Sequence, residues 1–226
     1  MRRETEAVDI LAELKKLRIV PVVKLDKAEH ALPLATALKA GGLPCMEITF
    51  RTAAAPDAIR AAATVLDMVL GAGTVLTVDQ AKKAEDCGAR FIVSPGFSAK
   101  VVEHCLSRNL IVIPGVCTPT EVQMALEYGL KVLKFFPAEN YGGIKTLKAI
   151  GAAYGEVKFV PTGGIELLNL VEYLKLPNVL ACGGTWMVKP DLILAGNFAE
   201  ITHLARQAVT LAATANAPAQ PCPSQQ

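Results

Sequence analysis

One lysine of the chain lies in a segment that is otherwise apolar and aromatic: Lys134, in Val132-Leu-Lys-Phe-Phe-Pro137. The β-branched and aromatic residues around it are typical of a buried strand. Because burial of an ammonium group is costly, a buried lysine releases its proton more readily, and the neutral amine is a nucleophile. Such an amine forms Schiff bases with carbonyl compounds. The alternative is a lysine at the end of a strand whose side chain reaches solvent.

A second candidate group lies in Cys45-Met-Glu-Ile-Thr-Phe-Arg51. Since successive strand residues face opposite sides, Glu47 and Arg51 share one face, and the large apolar residues between them share the other. The apolar face belongs against covering helices, which places Glu47 in the interior. This carboxylate could simply be half of a buried ion pair. Together with Lys134 it is also the minimal set for carbonyl chemistry, a nucleophile and a group that moves protons.

Two double glycines follow later strands, in Pro161-Thr-Gly-Gly-Ile165 and Cys182-Gly-Gly-Thr-Trp186. A double glycine alone is most often an ordinary turn. After strands seven and eight of a (β/α)8 barrel, however, backbone N–H groups near helix N-termini commonly bind phosphate. The pair of turns therefore predicts a phosphate site.

Other polar residues at strand ends give weaker signals. Thr74, in a glycine-rich turn, could offer its hydroxyl to a cavity or cap the turn. Lys24 ends the first strand and either points into the mouth of the cavity or lies in solvent. Three histidines fall in helical stretches and receive no role: His30, His104 and His203.

The elements that must position these residues repeat along the chain. Eight candidate strands begin 20 to 26 residues apart: Ile19 to Leu25, Cys45 to Phe50, Met68 to Val75, Phe91 to Gly96, Ile111 to Val116, Val132 to Pro137, Lys158 to Ile165 and Val179 to Trp186. Stretches with helical periodicity lie between them, including Ala28 to Ala40, Ala53 to Leu66, Val78 to Cys87 and Thr120 to Tyr128. This alternation predicts parallel strands with right-handed crossovers.

The expected fold is an α/β (β/α)8 TIM barrel, with a doubly wound open sheet as the alternative. An extra N-terminal helix over residues 10–17 is expected to cover the floor of the barrel. The barrel is predicted to form one domain over residues 1–213. Residues 214–226 are rich in Ala, Pro, Gln and Ser, which predicts a disordered tail in which Cys222 is exposed and without function.

Composition excludes several classes of protein. The chain has 226 residues, of which 52% are hydrophobic and 19% charged, as expected for one well-buried domain. A formal net charge of +2 and an aromatic content of 5% argue against nucleic acid as a partner. The six cysteines form no Cys-x-x-Cys pair and no Cys/His cluster, so neither a metal site nor a disulfide framework is predicted. With no signal-peptide pattern and no apolar run of membrane length, a cytoplasmic protein that binds no membrane is expected.

Six short motifs, in this order, resemble those of the bacterial class I aldolases that cleave 2-keto-3-deoxy-6-phosphogluconate (KDPG). They are E-I-T-F-R from Glu47, G-A-G-T-V-L from Gly71, S-P-G from Ser94, K-F-F-P-A-E from Lys134, P-T-G-G-I from Pro161 and G-G-T-W from Gly183. The resemblance covers about Ile10 to Ala208, nearly the whole chain apart from the tail. Many members of this family also act on 4-hydroxy-2-oxoglutarate.

The resemblance implies a role for each matching residue. Lys134 would be the Schiff-base lysine and Glu47 the general acid/base, while Arg51 and Thr74 would hold the carboxylate of the pyruvate half. Pro95 and Phe136 would form the walls of the pyruvate pocket. The phosphate would be held by Thr162, Gly163, Gly164, Gly183, Gly184 and Thr185. Thr185 stands where many members have serine, and Lys24 stands where members vary between apolar residues and arginine.

The implied activity is cleavage of KDPG to pyruvate and glyceraldehyde 3-phosphate, as in Entner-Doudoroff sugar-acid catabolism, by a homotrimer that needs no metal and no cofactor. Two other classes remain open. A phosphate-binding barrel isomerase or epimerase would share the glycine turns without needing a lysine that forms an imine. A non-catalytic ligand-binding protein would keep the fold without the combination of Lys134, Glu47 and Arg51.

Overall fold

The structure is a computed structural model that describes residues 2–215. Its nine parallel strands are short, and most are fully buried. They are β1 (Ile19–Val23), β2 (Cys45–Thr49), β3 (Val69–Gly73), β4 (Phe91–Val93), β5 (Ile111–Ile113), β6 (Gly115–Val116), β7 (Val132–Phe135), β8 (Lys158–Pro161) and β9 (Cys182–Gly184). Because the strands are buried on both faces, they form apolar runs. The buried polar residues within them are Glu47, Thr49 and Lys134.

Helices follow the strands in regular alternation. The described part of the chain contains α1 (Arg2–Leu17), α2 (Ala31–Ala40), α3 (Ala55–Ala62), α4 (Val78–Asp86), α5 (Ala99–Ser107), α6 (Pro119–Glu127), α7 (Gly143–Ala153), α8 (Leu167–Leu174), α9 (Pro190–Leu194) and α10 (Phe198–Thr214). Two short 3-10 helices, Ala28–His30 and Glu139–Tyr141, precede α2 and α7. Local signals fix several helix starts, such as the capping box that Thr118 and Glu121 form at α6.

The strands form two parallel sheets. One has the order β5-β4-β3-β2-β1-β9 and the other the order β6-β7-β8. Two isolated parallel bridges, Phe159 to Val179 and Thr162 to Gly183, connect β8 with the segment that contains β9. Between β5 and β6 lies Pro114, and its carbonyl oxygen accepts a hydrogen bond from the backbone N–H of Lys134 in β7, at 2.9 Å. The carboxyl ends of all these strands therefore point the same way.

Two apolar clusters stabilise the fold. The larger one lies between strands and covering helices and includes Met46, Ile48, Leu34, Phe135 and Phe159. The smaller one contains alternate strand residues such as Val20, Cys45, Val69, Phe91 and Val160, together with Ile10 and Leu14 of α1. These two helix residues are 4% and 0% exposed, so α1 packs against the side chains that the strands turn to their other face.

The structure confirms a parallel α/β fold and the positions of the predicted strands. The fifth predicted strand is divided into β5 and β6, because Pro114 has no N–H to continue the ladder. Helix α10 extends through Thr214, so the first residue of the predicted tail is helical. Residues 216–226, with Cys222, lie outside the described residues. Within residues 2–215, no helix combines the length and the apolar character needed to cross a membrane.

Candidate active site

A cavity of about 260 Å³ opens where the strands end on their carboxyl side. Every predicted site residue except Glu47 contributes to its wall: Arg51, Thr74, Pro95, Lys134, Phe136, Thr162, Gly163, Gly164, Gly183, Gly184 and Thr185. Val22, Thr49, Ile165 and Glu166 complete the lining. Residues on or shortly after seven different strands thus converge on one cavity, because the strands share one direction.

Lys134 and Glu47 meet at the wall of this cavity. Lys134 is 5% exposed and Glu47 3%, and the distance from Nζ to Oε1 is 3.4 Å. The ammonium nitrogen also lies 5.2 Å from the centroid of the Phe136 ring. The side chain of Lys134 is therefore buried and does not reach solvent. A buried amine and a buried carboxylate are in hydrogen-bonding contact inside the fold, an arrangement that permits nucleophilic attack and proton transfer.

The carboxylate of Glu47 fits because its neighbour on β3 has no side chain. A Cβ atom on Gly73 would lie 1.9 Å from Oε1 of Glu47. Strands β2 and β3 are paired in register, with Thr49 opposite Gly73. Below Glu47 on the same face of β2, burial, with a smaller contribution from the Glu47 charge, raises the pKa of Cys45. That thiol therefore stays protonated and does not compete as a nucleophile.

Arg51 is oriented by Thr49, a residue to which the sequence motifs assign no role. Nε of Arg51 donates to Oγ1 of Thr49 at 2.9 Å, and the same hydroxyl donates to the carbonyl oxygen of Val23 at 2.8 Å. Thr49 is 2% exposed, so this arrangement is protected from water. The guanidinium keeps its two terminal nitrogens for a ligand. The signal in the sequence is a threonine two positions before the arginine, on the same face of the strand.

Two further turns contribute to the wall of the cavity. Thr74 has a φ of 53°, the left-handed region that non-glycine residues rarely adopt, and it lines the cavity. In the next turn, the hydroxyl of Ser94 donates to the carbonyl oxygen of Gly96 at 2.7 Å, and the intervening Pro95 reaches the wall. Both turns are thus held in conformations that present one residue to the cavity.

The two glycine turns lie side by side in the wall of the cavity. Gly163 and Gly164 have φ values of 99° and 79°, which only glycine adopts readily, and α8 begins shortly after them. A bridge joins Thr162 to Gly183, and a Cβ on Gly183 would lie 2.3 Å from Oγ1 of Thr162. The structure therefore brings both predicted turns to one place, where backbone N–H groups precede a helix N-terminus.

Two charged residues near the mouth differ in their relation to the cavity. Glu166, for which the sequence suggested no role, lines it beside the first glycine turn, and its N–H donates to Oδ1 of Asn169 at 2.9 Å. Lys24 does not line the cavity. It forms an ion pair with Asp26 at 2.8 Å, and its side chain is 38% exposed, as the solvated alternative predicts.

The donors needed for a metal site are not grouped in this part of the chain. Among residues 2–215, no three His, Cys, Asp or Glu side chains are placed to hold a metal ion together. Five cysteines in these residues are free thiols: Cys45, Cys87, Cys105, Cys117 and Cys182.

Comparisons with known proteins agree on one family. The family model described as KDPG and KHG aldolase matches residues 10–204. A 2-dehydro-3-deoxy-phosphogluconate aldolase of Treponema pallidum is 50% identical over 205 residues, which cover 90% of this chain and 98% of that protein. A protein of the same name from Haemophilus influenzae is 45% identical over 89% of this chain and 96% of its own length.

Solved structures are similar as well. A KDPG aldolase from Legionella pneumophila, crystallised with pyruvate captured at low pH as a covalent carbinolamine intermediate, has a TM-score of 0.85 and 40% identity. The match covers 88% of this chain and 97% of that one.

Proposed function

The chain belongs to the family of KDPG and KHG aldolases, and we propose that it is a class I aldehyde-lyase of Entner-Doudoroff type metabolism that cleaves KDPG to pyruvate and glyceraldehyde 3-phosphate. The observation that carries the proposal is the contact between Lys134 and Glu47, with Nζ and Oε1 3.4 Å apart, at a cavity whose wall also contains an arginine and two glycine turns. Such a cavity matches a substrate with a carboxylate at one end and a phosphate at the other.

Lys134 is the proposed nucleophile. Its neutral amine attacks the C2 ketone, and loss of water leaves a protonated imine at that carbon. Burial at 5% exposure keeps bulk water from the reacting nitrogen, and Glu47 is the carboxylate within reach to take up and return protons. The imine nitrogen then accepts the electron pair of the C3–C4 bond as that bond breaks.

Glu47 is the proposed general acid/base. It removes the proton of the C4 hydroxyl, through a water where needed, as the aldehyde product forms. It then returns a proton to C3 of the remaining enamine, and hydrolysis of the imine releases pyruvate and restores Lys134. One carboxylate serves both steps because the reacting carbons are adjacent.

The ends of the cavity are proposed to hold the two anionic groups. Arg51, oriented by Thr49, and Thr74 bind the carboxylate of the pyruvate half, with Pro95 and Phe136 as walls. The opposite end, formed by Thr162, Gly163, Gly164, Gly183, Gly184 and Thr185, binds the phosphate. A 4-hydroxy-2-oxoglutarate aldolase activity would use the first of these ends in the same way.

We further propose that the strands form one closed (β/α)8 barrel, with α1 covering its amino-terminal end. The bridges from β8 to β9 and the hydrogen bond from Lys134 to Pro114 support closure. A homotrimer is proposed from the family, with exposed large side chains such as Leu76 and Met124 as candidates for the interface. Sedimentation equilibrium should give the mass of three chains. The free thiols are consistent with a reducing cytoplasm.

Trapping of the imine tests the central proposal. Incubation with pyruvate and sodium borohydride should add one reduced pyruvyl group to Lys134, located by peptide mass mapping. Lys134→Ala should abolish both labelling and turnover, because no other amine lies beside Glu47 in the described part of the chain. Labelling elsewhere, or none, would favour an isomerase or epimerase that uses only the glycine turns.

A further inference from the structure

The segment that carries Lys134 continues into a direct contact with the first glycine turn. After β7, the backbone N–H of Ala138 donates to the carbonyl oxygen of Thr162 at 2.8 Å. The next N–H, of Glu139, donates to the carbonyl oxygen of Gly163 at 3.1 Å. Glu139 closes the K-F-F-P-A-E motif, and nothing in the proposed reaction uses its side chain. Its backbone already ties the lysine strand to the turn.

The side chain of Glu139 has one specific partner. The hydroxyl of Tyr173, on α8, donates to Oε1 of Glu139. Tyr173 is 0% exposed, and burial, followed by the hydrogen bond to Glu139, raises the pKa of this hydroxyl. The phenol therefore stays protonated and remains a donor. Helix α8 begins shortly after the first glycine turn. The hydrogen bond therefore connects this helix with the segment that follows β7.

Two glycines make room for this pair. Gly164 has a φ of 79°, and a Cβ there would lie 2.5 Å from Cγ of Glu139. Gly143, with a φ of 53°, would place a Cβ 2.6 Å from the Tyr173 hydroxyl and 2.8 Å from Oε1 of Glu139. Neither Glu139 nor Tyr173 lines the cavity. Glu139 therefore contacts the turn without lining the cavity, and Tyr173 reaches the turn through Glu139.

A Gly-Gly turn needs such support. Glycine loses more conformational freedom on ordering than other residues do, and backbone N–H groups bind an anion tightly only when they are already oriented. Gly163 and Gly164 contribute no side chains that could hold the turn. The turn is held from α8 by Nδ2 of Asn169, which donates to the carbonyl oxygen of Gly164 at 2.9 Å, and from the lysine segment by Glu139.

We propose that Glu139 and Tyr173 form a positioning pair that holds the first glycine turn in its binding conformation, and so sets the preference for phosphorylated over unphosphorylated 2-keto acids. The inference rests on the proposed function. It concerns the phosphate end alone, because the pair touches neither Lys134 nor Glu47. The pair therefore affects recognition of one end of the substrate and leaves imine chemistry unchanged.

The test compares two substrates in one set of variants. Tyr173→Phe should lower kcat/KM for KDPG about tenfold, mainly through KM, because the loss concerns binding of one group. Its rates with the unphosphorylated analogue and in exchange of pyruvate methyl protons should stay within about twofold of wild type. Glu139→Ala should give the same pattern, and the double variant should lose no more than either single one.

Two controls separate positioning from general destabilisation. Glu139→Gln keeps an oxygen that accepts from Tyr173 and should retain the wild-type preference. Tyr154→Phe removes a hydroxyl that donates to the carbonyl oxygen of Pro119 at 3.2 Å, and it should change neither substrate. Because Glu139 is exposed, Glu139→Ala remains informative even where Tyr173→Phe lowers the melting temperature.

Equal losses on both substrates, or additive losses in the double variant, would overturn the inference. Its failure is distinguishable from failure of the proposed function. Borohydride trapping on Lys134 and the substrate preference of the wild type are measured first, and they decide the function. The variants then decide whether Glu139 and Tyr173 set the preference.

Discussion

Gly73 on β3 leaves the space that the carboxylate of Glu47 on β2 occupies, since a Cβ at this position would lie 1.9 Å from Oε1. The carboxylate of Glu47, the proposed acid/base, is thus positioned by the missing side chain of Gly73 as much as by its own strand. The effect of Gly73 on Glu47 is purely steric. The relationship means that a methyl group added to one strand should disturb catalysis on its neighbour.

Gly73→Ala should therefore lower turnover sharply, because it displaces the Glu47 carboxylate from Nζ of Lys134. We expect a fall of about 10² or more, comparable with loss of the base itself. Gly96→Ala, where an added Cβ meets nothing within 4 Å, is the matched control and should stay active. Steady-state kinetics check both. An active Gly73→Ala would show that Glu47 has freedom to move.

Glu47→Gln keeps the shape of the side chain and removes the base. Turnover should fall by roughly 10² to 10⁴ if proton transfer limits the rate. Exchange of pyruvate methyl protons into deuterated water, followed by NMR, should slow in parallel. Wild-type exchange in this variant would show that Glu47 only pairs with Lys134.

Thr49→Val should weaken binding of the substrate carboxylate. The substitution removes the hydroxyl that accepts from Nε of Arg51 and leaves the guanidinium without that orientation. We expect KM for pyruvate in proton exchange to rise about tenfold, with a smaller change in the limiting rate. Thr49→Ser keeps the hydroxyl and should behave like wild type. A rise in KM of similar size in both variants would point to packing instead.

Thr185→Asp should erase the preference for a phosphorylated substrate. Charge-assisted hydrogen bonds contribute about 1.5 to 3 kcal/mol each, so two of them predict roughly a hundredfold or greater preference in the wild type. A carboxylate at position 185 opposes the phosphate, and imine formation with pyruvate should persist. Gly184 is less suitable, because a Cβ there would lie 1.8 Å from the Trp186 ring. Thr185→Ser is the control. Equal use of both substrates by the wild type would leave the glycine turns as structural features.

Glu166→Gln should improve binding of the phosphorylated substrate. Its exposed carboxylate lines the cavity next to Gly164, where it repels an anion. KM for KDPG should fall about twofold to fivefold at low salt, and the gain should shrink at high salt because exposed charges are screened. KM for the unphosphorylated analogue is the control, and it should be the same in Glu166→Gln and in the wild type. An unchanged KM across salt concentrations would show that this carboxylate points away from the phosphate.

The sequence predicted the strands well, because buried parallel strands are apolar and a charged residue in them is conspicuous. Lys134 and Glu47 could be selected as candidates from their places in such strands, and the structure brings them into contact. The contributions of Gly73 and Thr49 could not, since they depend on the register between β2 and β3 and on the hydrogen bond to Val23. The proposed role of Glu139 could not be inferred from the sequence for a similar reason. Its partner Tyr173 lies on a helix that only the fold brings close.

The segment from Lys134 to Glu139 has a fixed length between two parts of the site. One of its ends carries Nζ of Lys134, the proposed nucleophile, and the other is hydrogen-bonded to the glycine turn proposed to bind phosphate. On this proposal, the number of residues between them sets the distance between the carbonyl group and the phosphate of the substrate that is bound. Insertion of one residue in this segment should change the chain length of the preferred substrate, whereas imine formation at Lys134 should persist. Families that keep the lysine but alter this spacing should be sought among aldolases for longer or shorter keto acids.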